Sequence, residues 1–143
     1  MSSPNDNLKT IPIYAQDTDE YSVGNIRSLL VEIATLLDKL AVSGETGMID
    51  LNSLPLAPGE HEQLRHMLGQ GEVTAHIEAI GPSEIIETRY PGVWWVTHYN
   101  VEGDIVADTL EITTIPEIIK SQADDINTGL ELLQDQISDE VQP

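Results

Sequence analysis

Residues 71–113, GEVTAHIEAIGPSEIIETRYPGVWWVTHYNVEGDIVADTLEIT, decide the fold of this chain. Apolar and polar side chains alternate along this stretch with a period of two, which is typical of β-strands. Short turns that contain Gly or Pro separate four predicted strands, Gly71–Ile80, Ser83–Tyr90, Val93–Val101 and Ile105–Thr113. Because a parallel crossover needs about a dozen residues, connections this short join only antiparallel neighbours. The stretch therefore predicts a four-stranded antiparallel meander.

Helices are predicted before and after this meander in the sequence. Apolar residues at steps of three and four predict a first helix over 23–40, with Ser22 as its N-cap and Gly44 just after its end. A second helix is predicted over 58–68, where Pro58 suits the first turn. The chain is thus predicted to be an α+β protein in the order α-α-β-β-β-β-α. It would form a two-layer sandwich, with helices packed on one face of the sheet.

A third helix is predicted to begin at Thr114–Glu117, whose sequence fits a capping box with Pro116 in the first turn. Its expected apolar stripe consists of Ile118, Ile119, Ala123, Ile126, Leu130, Leu133 and Ile137. A length of 143 residues suits one domain, which we expect over 21–137. The polar ends, 1–20 and 138–143, are expected to be flexible.

The composition of the chain argues against several classes of function. Six basic and 25 acidic side chains give a net charge of −19, which argues against nucleic-acid binding because phosphate contacts need a basic surface. The absence of cysteine removes disulfides, Cys-ligated zinc and iron–sulfur clusters held by the chain's own thiolates. The N-terminal sequence shows no secretory signal, and no apolar run approaches the roughly 20 residues of a membrane span. We therefore expect a cytoplasmic protein without a cofactor and without membrane insertion.

The alternation also assigns the two faces of the predicted sheet. The phase expected to pack against the helices contains Val73, Ala75, Ile77, Ile86, Trp94, Val96, Leu110 and Ile112. The opposite phase contains Thr74, His76, Glu78, Glu87, Arg89, Trp95, Thr97, Tyr99, Thr109 and Glu111. An antiparallel sheet can leave such a face in water, and Trp and Tyr are enriched at interfaces. This face is therefore either a contact surface for a partner or an ordinary polar sheet face.

Two sequences with histidine and glutamate are similar to known motifs, and neither completes one. His61-Glu62-x-x-x-His66 is not the zincin motif, since five helical steps place the two imidazoles about 140° apart. A surface pair of Glu62 and His66 is the simpler interpretation. His76-x-Glu78 lacks the Pro-Cys-x-x-Cys half of a zinc deaminase. We predict no catalytic residue and no metal site, and a small carboxylate or histidine hydrolase, or a metal-binding protein, is the alternative.

Three stretches of the chain together resemble a known family. They are Leu68–Val73 (LGQGEV), then Glu87-Thr88 with Pro91–Trp94 (PGVW), and finally Leu110–Ile112 (LEI) with Ile115-Pro116. Their order and spacing are similar to those in the C-terminal domain of the HupH/HyaF hydrogenase expression proteins, over about residues 60–135. From this resemblance we expect structural roles for Gly69, Gly71, Glu72, Gly92, Trp94 and Pro116.

The resemblance implies an accessory protein of nickel–iron hydrogenase maturation. Its implied partners are the hydrogenase small-subunit precursor, which carries a twin-arginine leader, and a thioredoxin-like accessory protein. A leader that is basic near its start and apolar beyond is complementary to an acidic surface with exposed aromatic side chains. We therefore predict a non-catalytic chaperone that binds this precursor, at its leader or its cluster-loading region, before export. The expected contact residues are Glu87, Trp95, Tyr99, Glu111, His76 and Glu78.

A structural module without a client peptide is the second interpretation of the sequence. In that case the polar sheet face is the interface of a homodimer, and the strong acidity only favours solubility. The chain is accordingly expected to be a monomer or a homodimer.

Overall fold

The structure is a computed structural model, and it describes residues 13–141 of the chain. Its helices and strands are, in chain order, α1 (Ile13–Ser43), β1 (Gly47–Asp50), α2 (Pro58–Leu68), β2 (Thr74–Ile77), β3 (Ser83–Glu87), β4 (Val93–Tyr99), β5 (Ile105–Ile112) and α3 (Ala123–Val141). Short 3₁₀ helices, Leu51–Ser53 and Glu117–Ile119, follow β1 and β5. The described part of the chain is α+β, as predicted, with three α-helices and an antiparallel sheet.

The sheet has five strands in the order β1-β5-β4-β3-β2, and all neighbouring strands are antiparallel. The meander from β2 to β5 confirms the predicted connections. The predicted number of four strands is wrong, because β1 adds to the edge of β5, with Ile49 opposite Leu110. β1 has only four residues and pairs with a strand far along the chain, so no hairpin turn marks it in the sequence.

The first two helices differ in how well their bounds were predicted. α2 covers 58–68, as predicted. α1 already begins at Ile13, so Ser22 lies inside the helix and is not its N-cap. The predicted end of α1 is confirmed, since Gly44 has a φ of +77° and its N–H donates to the carbonyl oxygen of Leu40 at 2.9 Å.

The helix-bearing face of the sheet carries the main hydrophobic core. Its buried residues are Ile26, Leu29, Ile33, Ile49, Leu51, Leu64, Leu68, Val93, Trp95, Leu110 and Ile112. Leu110 and Ile112 were predicted on this face, whereas Ala75, Ile77, Trp94 and Val96 were also predicted here and lie on the opposite face. The four side chains of Val93–Val96 are all buried, so apolar character does not alternate along this part of β4. When a strand is buried on both faces, hydropathy does not show which of its side chains face the helices. This is why the prediction for β4 is wrong.

The opposite face of the sheet is not the polar, solvent-exposed surface that the sequence predicted. A second buried cluster there consists of Ile85, Trp94 and Val96, with Ala75, Ile77 and Ile119 packed against it. Ile119 belongs to the 3₁₀ helix after β5, so this segment crosses over the face. The indole N–H of Trp94 donates to the carbonyl oxygen of Thr113 at 3.1 Å. The sheet is therefore covered by α1 and α2 on one face and partly by the segment after β5 on the other.

α3 differs most from its prediction. It begins at Ala123 and not at the predicted Thr114–Glu117 capping box. Pro116 is buried and precedes a 3₁₀ turn, and the chain is not helical between that turn and Gln122. All side chains from Ala123 to Glu140 are exposed. The expectation that this helix packs on the sheet is therefore wrong.

The two ends that were expected to be flexible fall partly outside the structure. Residues 1–12 and 142–143 lie outside the described residues, whereas 13–20 belong to α1 and 138–141 belong to α3. Within residues 13–141, no helix is both long enough and apolar enough to cross a membrane.

Gly71 lies where the loop before β2 meets the end of β3. Its N–H donates to the carbonyl oxygen of Glu87 at 2.7 Å. A Cβ atom at this position would lie 2.6 Å from the carbonyl oxygen of Thr88 and 2.6 Å from Oε1 of Glu87. Both distances are too short for a carbon–oxygen contact, so the backbone approach requires glycine. This contact supports the structural role expected for Gly71.

The substitution Gly71→Ala is expected to lower the free energy of unfolding by about 1–3 kcal/mol, because the new Cβ forces the backbone at Thr88 to move. Urea unfolding of the whole chain measures the change. Gly129→Ala is the matched control, since nothing lies within 4 Å of a Cβ at that position and alanine favours a helix interior. Equal unfolding free energies for Gly71→Ala and the unsubstituted chain would contradict the close contact.

Candidate functional site

Two of the predicted contact residues flank Trp94 on the face opposite the helices. The cross-strand partners of Trp94 are Glu87 on β3 and Glu111 on β5. The carboxylate of Glu87 is already engaged, because its Oε1 accepts hydrogen bonds from the N–H groups of Glu72 (3.0 Å) and Val73 (3.2 Å). Glu87 therefore fixes the loop before β2, and Glu72 takes part through its backbone.

Glu111 lies beside the segment that crosses this face. Burial raises the pKa of its carboxyl above the usual 4.5, with the charge of His98 lowering it in part and the charge of Glu117 raising it further. Glu111 and Glu117 line an open groove of about 420 Å³ together with Met48 and Thr113. A basic side chain in this groove would relieve the repulsion between the two carboxylates, so the groove suits a cationic group.

A second groove, between α1 and the start of β4, is mainly apolar. It has a volume of about 470 Å³ and is lined by Leu37, Leu40, Ala41, Glu87, Pro91, Gly92, Trp94 and Thr114. Gly92 keeps it open, because a Cβ there would lie 3.0 Å from Cδ1 of Leu37. The groove can accept an apolar side chain next to a carboxylate.

Trp95 is not at the surface, and the contact role predicted for it is wrong. Its side chain is 3% exposed and belongs to the main core. Its indole N–H donates to Oδ1 of Asp108 at 2.6 Å, and the hydroxyl of Thr97 donates to the same oxygen at 3.0 Å. The prediction fails because β4 has the opposite phase.

The second carboxylate oxygen of Asp108 connects the sheet to α2. It lies 2.8 Å from Nε2 of His61. The imidazole of His61 meets the ring of Trp95 edge-on at a centroid distance of 5.3 Å, and the guanidinium of Arg65 lies 4.3 Å above that ring. We call Asp108, Trp95, Thr97, His61 and Arg65 the Asp108 network. It joins one turn of α2 to β4 and β5.

Sequence reasoning missed the Asp108 network. The one signal for it is that Asp108 has the same phase on β5 as Leu110 and Ile112, so its carboxylate faces the helices. The predicted pair of Glu62 and His66 forms no ion pair in the described part of the chain. Among the side chains of residues 25–140, no group of three or more His, Asp and Glu is placed to hold a metal ion.

The other predicted contact residues lie apart from Glu111. Nε2 of His76 on β2 is 3.6 Å from Oε1 of Glu78, and both side chains are largely exposed. β2 is the edge strand farthest from β1, and two strands separate it from β5. Tyr99 ends β4 and is partly buried. The six predicted contact residues therefore do not form one surface.

A line of exposed apolar side chains runs along α3. We call these residues the α3 stripe, and each is exposed over more than half of its surface: Ile126, Leu130, Leu133 and Ile137. The acidic residues of the helix are Asp124, Asp125, Glu131, Asp135, Asp139 and Glu140. The helix contains no basic residue. α3 thus combines an apolar line, unpaired in the described part of the chain, with a strongly negative charge.

Residues 23–139 match the family model described as HupH hydrogenase expression protein, C-terminal conserved region. The chain belongs to this HupH family. The resemblance stated from the sequence is thereby confirmed. The matched region includes the whole sheet and nearly all of α3, so the Asp108 network and the α3 stripe both lie within it.

Relatives with curated names are longer proteins. The chain is 38% identical over 96 residues to the hydrogenase expression/formation protein HupH of Rhodobacter capsulatus, which covers 66% of this chain and 35% of that protein. It is 33% identical over 87 residues to the hydrogenase expression/formation protein HoxQ of Azotobacter vinelandii, covering 61% of this chain and 31% of that protein. The HupH family chain described here thus spans about a third of the length of these two relatives.

A solved structure is similar to the HupH family chain over most of its length. It is the hydrogenase expression protein HupH from Thiobacillus denitrificans, with a TM-score of 0.78 and 40% sequence identity. The similarity covers 81% of this chain and 97% of that one.

The substitution Asp108→Asn is expected to lower the free energy of unfolding by about 1–3 kcal/mol, because a neutral amide cannot accept from Trp95 and Thr97 and pair with His61 as well as a carboxylate does. Urea unfolding followed by tryptophan fluorescence measures the change. Asp104→Asn is the matched control, since Asp104 is exposed in the turn before β5. Similar unfolding of the two variants would rule out a stabilising role for the Asp108 network.

The substitution Glu111→Gln is expected to stabilise the chain by an amount that grows as the pH rises above about 4.5. Because the pKa of Glu111 is raised in the folded state, the folded chain binds this proton more tightly than the unfolded chain. The unsubstituted chain therefore loses stability as the pH rises from the usual value through the raised one. Urea unfolding over a pH series tests this, with the exposed Glu102→Gln as control. A difference in stability that does not change with pH would contradict the burial of this carboxyl.

Proposed function

We propose that the chain is a non-catalytic accessory protein of hydrogenase maturation, which binds the small-subunit precursor of a hydrogenase in the cytoplasm before export. Membership of the HupH family and the names of the two relatives support the maturation role. The proposed client is a polypeptide segment that is basic near its start and apolar beyond, as in a twin-arginine leader.

The observation that carries this proposal is the α3 stripe. An apolar line on a helix whose other ionisable groups are all acidic fits a polypeptide segment that offers both apolar and basic side chains. The net charge of −19 attracts such a segment over a longer distance. The acidic groove at Glu111 and Glu117 offers a further place for a basic side chain of the same client.

The chemistry of the Asp108 network supports a structural role for its histidine and carboxylate. Both oxygens of Asp108 already accept from or pair with side chains of this chain, and Asp108 is 2% exposed. A general base needs a free lone pair within reach of a substrate proton. The pair of His61 and Asp108 thus favours attachment of α2 to the sheet over hydrolysis.

A homodimer through the α3 stripes is the competing function. The exposed stripe favours it, because two amphipathic helices can bury such lines against each other. The six acidic residues of each helix would then be brought together without a basic residue on either helix, which opposes the pairing. A client segment with basic side chains would not be repelled by the acidic residues of α3. The contact roles of Glu87, Tyr99, Glu111, His76 and Glu78, and the thioredoxin-like second partner, stay predictions.

The double substitution Leu130→Ser with Leu133→Ser is expected to weaken binding of a synthetic precursor leader by at least about tenfold, since each leucine would bury apolar surface against the client. Calorimetry with the full chain measures the affinity. The unfolding free energy is expected to stay unchanged, because neither side chain is packed against the sheet.

Ile80→Ser is the matched control, because Ile80 is 95% exposed and lies outside α3. Unchanged leader binding by the double variant would exclude the α3 stripe as the client site. Sedimentation of the same variants separates the two functions. If the unsubstituted chain is a dimer, and the double substitution dissociates it while leader binding persists, the result would support the homodimer.

A further inference from the structure

A pocket of about 340 Å³ lies at the C-terminal end of α2. Its lining consists of Arg65, His66, Gly69, Gln70, Ile86 and Arg89. The pocket brings together side chains of the last turn of α2 with Arg89, from the connection between β3 and β4. The proposed client site on α3 does not include this pocket.

The pocket concentrates positive charge on a strongly negative chain. The chain has only six Lys and Arg residues against 25 Asp and Glu residues. Its arginines are Arg27, Arg65 and Arg89, and the last two of them line this pocket. Among residues 25–140, neither of these two guanidinium groups forms an ion pair with a carboxylate. Two arginines without an anionic partner among these residues, in such an acidic chain, point to an anion from outside them.

Arg65 is held in position by the ring of Trp95. Its guanidinium lies 4.3 Å above the ring of Trp95, and the hydrogen bond of 2.6 Å to Asp108 fixes that ring. A cation–π contact with the ring leaves the N–H groups that point away from the ring able to donate. Arg65 is thus oriented before a ligand arrives, which lowers the entropy cost of binding.

Arg89 is held in position by the end of α2. Its backbone N–H donates to the carbonyl oxygen of Leu68 at 2.8 Å. Its side chain lies directly over Gly69, where a Cβ would be 2.7 Å from Nε of Arg89. Gly69 also has a φ of +65°, which side-chain-bearing residues rarely adopt. The glycine therefore ends the helix and makes room for the second guanidinium.

The helix dipole explains only part of this arrangement. Arg65 and His66 lie in the last turn of α2, where basic side chains interact favourably with the negative end of the helix. Arg89 comes from another part of the chain, and it is the backbone of Arg89, not its guanidinium, that satisfies the carbonyl group of the helix. The convergence of both arginines on one pocket is a separate feature.

We propose that this pocket binds a carboxylate group. Guanidinium groups bind carboxylates through paired N–H donors, and the side-chain amide of Gln70 can add a further donor. Ile86 offers an apolar wall to the carbon atoms next to the carboxylate. Inorganic phosphate has no carbon atoms to place against this wall, so the lining favours a carboxylate. The carboxylate can come from an acidic side chain of a partner polypeptide or from a free dicarboxylate.

Calorimetric titration of the full chain tests this with four probes. They are a short peptide amide containing Asp and Glu, the same peptide with Asn and Gln, free glutarate, and inorganic phosphate. Saturable binding of the acidic peptide or of glutarate is expected, with tryptophan emission changing because Arg65 lies on Trp95. Tighter binding of the peptide assigns the site to a polypeptide, and tighter binding of glutarate assigns it to a free dicarboxylate.

Two variants and a control connect the binding to the pocket. Arg89→Gln and Arg65→Gln are each expected to weaken carboxylate binding about tenfold or more, and Arg89→Lys to restore it in part, because lysine keeps the charge but not the paired donors. Lys39→Gln changes the net charge equally at an exposed position of α1 and is expected to leave binding unchanged. Arg89 is exposed, so its variants are expected to fold.

Three results would overturn the proposal. They are the absence of saturable binding by both carboxylate probes, equal binding by the arginine variants and Lys39→Gln, and tighter binding of phosphate than of either carboxylate probe. Loss of leader binding in the α3 variants would not affect the outcome, so this proposal and the proposed function can fail separately.

Discussion

The hydrogen bond between the indole N–H of Trp95 and the carboxylate of Asp108 sets the arrangement of the rest of the structure. A buried carboxylate needs donors, and Asp108 finds them in Trp95, Thr97 and His61 between the sheet and α2. This bond places Trp95 on the helix-bearing face of β4. Since side chains alternate along a strand, Trp94 must then lie on the other face.

The placement of the two tryptophans buries apolar side chains on both faces of the sheet. Trp95 completes the core under α1 and α2, and Trp94 forms a second cluster that the segment after β5 helps to cover. The exposed groups that can bind a partner are found at the edges of the sheet and on α3. The edges carry a cationic pocket at Arg65 and Arg89 and an acidic groove at Glu111, which can bind groups of opposite charge.

Much of the fold follows from local sequence signals. The period of two with Gly- and Pro-containing turns predicted the meander from β2 to β5, and Pro58 in the first turn indicated where α2 begins. These signals suffice because short connections and helix caps act between residues that are close in sequence. The family resemblance was likewise carried by short stretches, and the match over 23–139 confirms it.

The features that sequence reasoning missed depend on contacts between distant residues. β1 forms only because β5 offers a free edge, and the phase of Val93–Val96 is decided by Asp108, not by hydropathy. The apolar spacing on α3 correctly marked one line of the helix, but spacing alone cannot say what covers that line. In the candidate site, Glu87 and Glu111 were placed on one face, whereas Trp95 was assigned to the surface and is part of the core.

The α3 stripe is the proposed surface on which a hydrogenase precursor docks. Because the side chains from Ala123 to Glu140 are all exposed, the amide hydrogens of α3 are expected to exchange rapidly when the protein is alone. Hydrogen exchange read by mass spectrometry, with and without the small-subunit precursor, tests the claim most directly. Slower exchange across Ala123–Val141 is expected when the precursor is added. Slower exchange elsewhere in the chain, with that of α3 unchanged, would contradict it.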